Sequence, residues 1–272
     1  MSFSSAEIFA INDVLNARVA DYLRLARKLR GHNSEKLIHD FRVSSRRLLA
    51  IEPLLASQSS TRFWRQHARR LLKTLNPLRD LQVLQQRFAA HDAINYVICA
   101  KIAQAQAGIA NLKHAGLGHT FKERLLMSLK RYCQACEAAP EYASDTMLAH
   151  WRATRDSFVE CLTAIDYGEL STLHRLRVKY KSLRYMLELL CECGLVDDQE
   201  CRQLKHWQDL LGEIHDIEVA IDWLQSIDAD QELRRQLESE MQDNIALFQQ
   251  QEGALRRFAE HADELVRRLL AK

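Results

Sequence analysis

Apolar side chains recur at intervals of three and four residues along almost the whole chain, which is the spacing of amphipathic α-helices. Only a few positions interrupt this pattern. Ser34 follows Gly31 and can cap a new helix, and Asn76-Pro77 is expected to end one helix and begin another. Further turns, loops or helix ends are predicted at Ser57–Thr61, Gly116–Gly118, Ala138–Ser144, Gly168, Gly194 and Gly212. The pattern predicts roughly ten helices, several of them longer than about 15 residues.

The composition agrees with an all-α fold. The 272 residues are 47% hydrophobic and include only eight Gly and three Pro, too few for the many tight turns of a β-sandwich or barrel. Residues 1–7 lack the basic and apolar regions of a secretory signal, and no stretch of about 18 uncharged apolar residues predicts a membrane span. Seven cysteines, an odd number, fit a reducing cytoplasm better than a disulfide scaffold.

Two segments of the chain are repeated at nearly the same spacing. Residues 37–46 align with residues 172–181, at an offset of 135, through a shared apolar-His-x-apolar-Arg-Val-x-x-basic pattern. Residues 75–83 align with residues 211–219 at an offset of 136. Because two motifs repeat together, the chain is predicted to consist of two duplicated helical bundles related by a pseudo-twofold axis.

The two predicted repeats differ strongly in charge, although the formal net charge of the chain is only +2. Residues 1–137 carry 22 basic and 10 acidic side chains, a net charge of +12, and residues 138–272 carry 16 basic and 26 acidic side chains, a net charge of −10. In residues 188–232, 13 acidic side chains accompany only Arg202 and Lys205. This asymmetry indicates an anionic partner for part of the surface, or attraction between the halves.

Each copy of the apolar-His-x-apolar-Arg-Val pattern lies on a predicted helix, and a helical projection places its basic side chains opposite its apolar side chains. They are His39, Arg42, Arg46 and Arg47 in the first copy and His174, Arg177, Lys181 and Arg184 in the second. The helix after the first copy adds Arg62, Arg65, Arg69 and Lys73, and the second half keeps Arg202 and Lys205. A single basic stripe is usually a solvated helix face, but this one recurs in an otherwise acidic half. Since guanidinium groups pair with phosphate oxygens through two hydrogen bonds, we interpret these faces as an anion-binding surface.

These paired motifs resemble those of the CHAD (conserved histidine α-helical domain) family. The resemblance covers essentially the whole chain, in a standalone form without the CYTH domain that some members carry. It implies two four-helix-type bundles around a basic central groove or pore, and binding of inorganic polyphosphate without catalysis. The matching positions are His39, Arg42 and Arg46, then His174, Arg177 and Lys181, with Arg79-Asp80 and His215-Asp216 in the later segments. The copies differ at Ser182 and Asp209, which stand where the first copy has Arg47 and Lys73.

We therefore expect a polyphosphate-binding protein without catalytic residues, metal or cofactors. The candidate binding residues are His39, Arg42, Arg46, Arg47, Arg69, Lys73, Arg79, His174, Arg177, Lys181, Arg184 and Lys205. Polyphosphate carries about one charge per phosphate and no bases, so basic side chains would bind it in a salt-dependent manner. His39 and His174 would either carry charge in mildly acidic conditions or orient neighbouring arginines as neutral donors. The expected partner is polyphosphate or another phosphate-rich polyanion, rather than a membrane or a specific nucleic acid, in the cytoplasm or at polyphosphate granules.

Two other classes of function remain open on the sequence alone. Adjacent His-Asp pairs, as in all-α metal-dependent phosphohydrolases of the HD type, occur at His39-Asp40, His91-Asp92 and His215-Asp216. Against a hydrolase, Asp40 is replaced by Arg175 in the second copy. The acidic segment 188–232 could instead dock a protein, which would make the chain an α-helical interaction scaffold. Cys133-x-x-Cys136 has no second ligand pair at zinc-site spacing, so we interpret both residues as ordinary thiols.

Overall fold

The protein is all-α, as its sequence predicts. The computed structural model describes residues 3–31, 34–55, 61–112, 119–228 and 231–270, and these form ten helices and no strand. The helices are α1 (Ser5–Leu29), α2 (Glu35–Ala50), α3 (Glu52–Leu55), α4 (Thr61–Arg87), α5 (Asp92–Leu112), α6 (His119–Ala138), α7 (Pro140–Thr163), α8 (Leu170–Glu192), α9 (Asp198–Ser226) and α10 (Gln231–Leu270). None of them is long and apolar enough to cross a membrane.

The chain forms two compact units. The N-terminal unit is Ser4–Ala143, and the C-terminal unit is Met1–Phe3 together with Ser144–Lys272. Helices α1 to α6 belong to the first and α8 to α10 to the second, while α7 begins in the first and continues in the second. Each unit contains one copy of the His-Arg motif helix, α2 or α8.

In the N-terminal unit, α2 packs against α1 and α4, and α4 also packs against α5 and α6. The predicted cap is confirmed, since the Leu37 N–H donates to Ser34 Oγ (3.3 Å) at the start of α2. Phe41 and Leu48 are buried, and the Phe41 ring lies 5.2 Å from that of Tyr22 on α1. These apolar side chains fix α2 in the core of the unit and leave His39 exposed.

In the C-terminal unit, α8 packs against α9, and α9 packs against α10. The predicted core stripe of α8 is confirmed, with Leu176, Leu183, Leu187 and Leu190 all buried. Tyr180 holds α8 to its neighbours: its ring lies 5.7 Å from that of Phe158 on α7, and its hydroxyl donates to the Leu204 carbonyl on α9 (2.5 Å). On the opposite face of α8, His174 is exposed, and Arg177, Lys181 and Arg184 are partly buried.

Two predicted helix ends are wrong, because α4 continues through Asn76-Pro77 and α9 continues through Gly212. Pro77 removes the donor to the Lys73 carbonyl, but both residues are exposed and water can satisfy that carbonyl. In α9, an interior glycine costs about 1 kcal/mol relative to alanine, whereas burial of Leu211 or Ile214 contributes about 1.5–3 kcal/mol each. Burial therefore outweighs the weak local preference.

The remaining predicted ends have mixed outcomes. Gly194 ends α8 with a φ of 69°, and the N–H groups of Gly194 and Leu195 donate to the carbonyls of Cys191 and Leu190 (2.8 and 2.9 Å) as a Schellman motif. Gly168 lies between α7 and α8 as predicted. The predicted loop Ala138–Ser144 is wrong, because only Ala139 separates α6 from α7, and Pro140 occupies the first position of α7, where no N–H is needed. Positions 57–60 and 116–118 lie outside the described residues, and Thr61 begins α4.

The cysteines depart from the expectation of unpaired thiols at one place. Cys191 in the last turn of α8 and Cys201 in the first turns of α9 form a disulfide. The reversal of the chain at Gly194 brings the two helices together, which spacing alone does not reveal. The other five cysteines are free thiols, and burial raises the pKa of both Cys133 and Cys136 to about 11. Burial therefore keeps this pair protonated and unreactive, as ordinary thiols are.

Candidate functional site

The N-terminal unit brings four basic side chains together where α2 meets α4: His39, Arg42, Arg46 and Arg79, the N-terminal basic cluster. Arg42 is only 7% exposed, and its guanidinium donates to the side-chain oxygen of Asn76. The helical projection is therefore wrong in placing Arg42 fully on the solvent face. The reason is that α4 packs along this side of α2.

Arg79 on α4 is anchored to the first turn of α2. Its guanidinium donates to Glu35 Oε1 (3.0 Å), and the same oxygen accepts from Gln86 Nε2 (2.8 Å). A carboxylate is favourable at a helix N-terminus, so Glu35 fits its position in α2 independently of this contact. Glu35, held in turn by Gln86, therefore fixes the guanidinium of Arg79 beside His39.

The electrostatics of His39 show how positive this cluster is. Partial burial lowers the pKa of His39, and the positive charges of Arg79, Arg42 and Arg46 lower it further, while Asp40 opposes them. His39 is therefore neutral at neutral pH, and it acquires a proton only in more acidic conditions or when negative charge approaches.

The C-terminal unit builds a second group of side chains where α8 meets α9. It consists of His174, Arg177 and Lys181 from α8 with His215 and Asp216 from α9, here called the C-terminal cluster. The rings of His174 and His215 stack, with centroids 5.2 Å apart and planes inclined by 27°. Asp216 Oδ1 lies 3.4 Å from His215 Nδ1 and 3.9 Å from Arg177 Nη2.

The ionisable groups of the C-terminal cluster shift one another's pKa values. Burial lowers the pKa of His174, and the charges of His215, Arg177 and Lys181 lower it further. Burial alone would raise the pKa of Asp216, but the hydrogen bond from His215 and the charges of Arg177, His215 and Lys181 bring it below its ordinary value. At neutral pH the guanidinium of Arg177 and the ammonium of Lys181 therefore lie beside a neutral His174 and the carboxylate of Asp216.

Residues that the sequence repeat aligns with one another have equivalent neighbours in the two clusters. Arg79 lies beside His39, and His215, which the sequence aligns with Arg79, lies beside His174. The residues predicted to bind do not include His215 or Asn76. The alignment with Arg79 could have identified His215, whereas the contact between Asn76 and Arg42 becomes visible only when α2 and α4 are packed.

The other candidates lie around the clusters or are engaged elsewhere. Arg47 is half-buried on α2, and Arg69 and Lys73 are exposed on α4. Arg184 pairs with Glu188 (3.1 Å) and stacks on the Tyr185 ring, so its described contacts do not include His174 or Arg177. Lys205 is exposed and lies 3.9 Å from Asp209, one helical turn away.

Arg62 and Arg65 complete the predicted basic stripe of α4. Arg65 pairs with Glu52 (3.4 Å), and the side chain of Arg62 lies outside the described part of the structure.

Among the side chains that the structure describes, no group of three or more His, Cys, Asp or Glu residues is placed to hold a metal ion.

The fold and the paired clusters define a helical domain in which a His-Arg motif is presented once by each unit. The chain belongs to the CHAD domain family, whose model matches residues 13–225. Its fold is similar to that in the crystal structure of the CHAD domain from the plant Ricinus communis, with a TM-score of 0.64 and 18% sequence identity. That match covers 100% of this chain and 93% of the plant chain. No curated protein matches this chain.

Proposed function

We propose that this CHAD-domain protein binds inorganic polyphosphate through the N-terminal and C-terminal clusters, without catalysing a reaction on it. The observation that carries this proposal is the convergence of Arg42, Arg46 and Arg79 on His39 where α2 meets α4. Burial lowers the pKa of His39, and the charges of these arginines lower it further. A surface that repels a proton from an imidazole attracts a polyanion by the same field. A protein with this activity would concentrate wherever polyphosphate accumulates.

The chemistry of the N-terminal basic cluster fits phosphate oxygens. Each guanidinium is planar, permanently charged, and able to donate two parallel hydrogen bonds to one phosphate. Asn76 accepts a hydrogen bond from Arg42, and Glu35 does so from Arg79, so both guanidinium groups are oriented before any ligand arrives. Orientation in advance lowers the side-chain entropy that binding would otherwise cost.

The exposed side chains beside this cluster extend it along α4. Arg69 and Lys73 are exposed, and Arg47 is half-buried on the adjoining helix α2. Polyphosphate has a charge on every unit and no base for a protein to read, so successive basic groups suit it better than a single pocket. These side chains are therefore proposed as additional contacts of a long chain.

The C-terminal cluster is proposed as the weaker of the two at neutral pH. Asp216 lies 3.9 Å from Arg177 and opposes the attraction of an anion there. His174 and His215 stand where the N-terminal basic cluster has His39 and the permanently charged Arg79. The Arg184 and Lys205 side chains are engaged with Glu188 and Asp209, so we expect smaller contributions from both.

The salt dependence of polyphosphate binding tests this proposal. Removing one guanidinium that binds a phosphate should make the slope of log K against log salt shallower by about 0.7–0.9. We expect this change for Arg46→Ala and for Arg79→Ala. The matched control is Arg24→Ala, which removes a guanidinium paired with Asp21 on α1 (2.5 Å) and should leave the slope unchanged. Equal effects of all three substitutions, or release of phosphate from the polymer by the purified protein, would contradict the proposal.

A further inference from the structure

The geometry of the C-terminal unit points to His215 as a further anion-binding residue, and to the stacked His174–His215 pair as a proton-dependent binding element. On this inference, polyphosphate binding by the C-terminal unit tightens as pH falls. It rests on the proposed function and concerns the regulation of the same site. His215 is not among the residues that the motif alignment selects for binding.

The two imidazoles line one cleft between α8 and α9. Its remaining walls are formed by Leu170, Leu173, Arg177, Leu211, Ile214 and Glu218, and its volume of about 10 Å³ holds no more than one water molecule. His174 is exposed, and the side chain of His215 is 18% exposed. A phosphate group would therefore meet the edges of the ring pair at the mouth of the cleft rather than enter it.

Charged groups surround the pair on both helices. From α8 the groups that face it are Arg177 and Lys181, and from α9 they are Asp216 and Glu218. The described contacts of α7 with α8 and of α10 with α9 involve other residues. They include the ring contacts of Phe158 with Tyr180 and of Trp207 with Phe258, and the hydrogen bond between His206 and Gln251.

Without a ligand, this environment opposes protonation of His174. The ring of His174 lies 5.2 Å from that of His215, measured between centroids. A proton on His174 would also lie close to the positive charges of Arg177 and Lys181. The pKa of His174 is lowered by burial and then by these positive groups. The pKa of Asp216 lies below its ordinary range, so this carboxylate stays ionised between about pH 5.5 and 8 and adds no pH dependence of its own there.

A bound polyanion reverses the balance. Its negative charge favours the protonated imidazoles. A protonated His174 ring offers two N–H donors to phosphate oxygens, whereas His215 offers the N–H of Nε2, because its Nδ1 faces Asp216 (3.4 Å). By linkage, a ligand that raises a pKa binds more tightly as pH falls, by up to about tenfold per pH unit for each proton taken up. In the N-terminal basic cluster the position of His215 is occupied by Arg79, which cannot lose its charge, so only His39 titrates there.

Titration of the full-length protein with long-chain polyphosphate between about pH 5.5 and 8, at constant ionic strength, tests this inference. The wild-type Kd should fall at least about tenfold as the pH is lowered from about 8 to about 5.5. His215→Gln should give a shallower pH dependence than the wild type. His215→Arg, which places at 215 the residue that the first copy has at 79, should bind at least as tightly as the wild type at pH 8 and also depend less on pH.

His206→Gln is the matched control, because His206 lies on the same helix and contacts Gln251 instead of the cluster. It should keep the wild-type pH dependence. A wild-type Kd that does not change with pH would overturn the inference alone, as would equal slopes for the wild type and both His215 variants. Absence of polyphosphate binding at every pH would overturn the proposed function, and this inference with it. If His215→Gln unfolds, as circular dichroism would show, the slope of His215→Arg decides.

Discussion

Individual side chains in the two clusters are oriented by partners of different charge. Asn76 accepts from the Arg42 guanidinium and adds no charge, whereas Glu35 and Asp216 place carboxylates next to Arg79 and Arg177. Buried arginine stays protonated, so burial of Arg42 does not remove its charge. A carboxylate partner fixes a guanidinium but weakens its field, and an amide partner only fixes it. This difference predicts which substitutions strengthen binding.

Glu35→Gln should tighten polyphosphate binding. Glutamine keeps a side-chain oxygen that can accept from Arg79 and Gln86, while a negative charge beside the cluster is removed. We expect the Kd to fall about two- to fivefold, the effect of roughly 0.4–1 kcal/mol from a screened surface charge. Stability should change by less than about 1 kcal/mol, because the pair is partly exposed and the helix-terminal charge contributes little more.

Polyphosphate titration at fixed salt measures the first effect of this substitution, and urea unfolding measures the second. Glu123→Gln is the control, because Glu123 on α6 pairs with His119 (3.0 Å) and not with the cluster. It removes the same charge from the same unit. An unchanged Kd for Glu35→Gln, or an equal gain for both variants, would show that Glu35 does not moderate the field of Arg79.

At the level of the helices, sequence periodicity predicts what depends on local pattern. The all-α class, the cap at Ser34 and the buried stripe of α8 follow from the spacing of apolar residues and from capping chemistry. The continuity of α4 through Pro77 and of α9 through Gly212 does not, because it depends on the burial that tertiary packing gives the flanking residues. The stacking of His174 on His215 is likewise set by how α8 and α9 pack.

Gly212→Ala should stabilise the protein by about 0.5–1 kcal/mol. Gly212 lies inside α9, and beyond its chain neighbours and the backbone of its own helix a Cβ at this position would meet no atom within 4 Å. Alanine favours the helix and reduces the entropy of the unfolded chain. The paired variant is Gly194→Ala, where the φ of 69° should cost about 1–2 kcal/mol. Urea unfolding of both proteins measures the difference, and destabilisation by Gly212→Ala would mean that α9 is interrupted at this residue.

At the scale of the whole molecule, the small net charge conceals a strong separation of charge. Residues 1–137 carry a net charge of +12 and residues 138–272 one of −10, yet each unit keeps a motif helix that carries His and Arg. The net charge of +2 would predict weak and unspecific attraction of any polyanion. The clusters predict instead that a flexible chain of phosphates binds better than a stiff duplex, because it can follow closely spaced guanidinium groups.

Competition between polyphosphate and duplex DNA at physiological salt tests this central claim most directly. Fluorescently labelled long-chain polyphosphate bound to the full-length protein would be titrated with unlabelled polyphosphate, duplex DNA or sulfate. The concentration of each competitor would be expressed per phosphate or sulfate group. The account predicts that unlabelled polyphosphate displaces the probe at a concentration at least about tenfold lower than either competitor, a difference of roughly 1.4 kcal/mol in binding free energy. Displacement by duplex DNA or sulfate at the same concentration as by polyphosphate would contradict it.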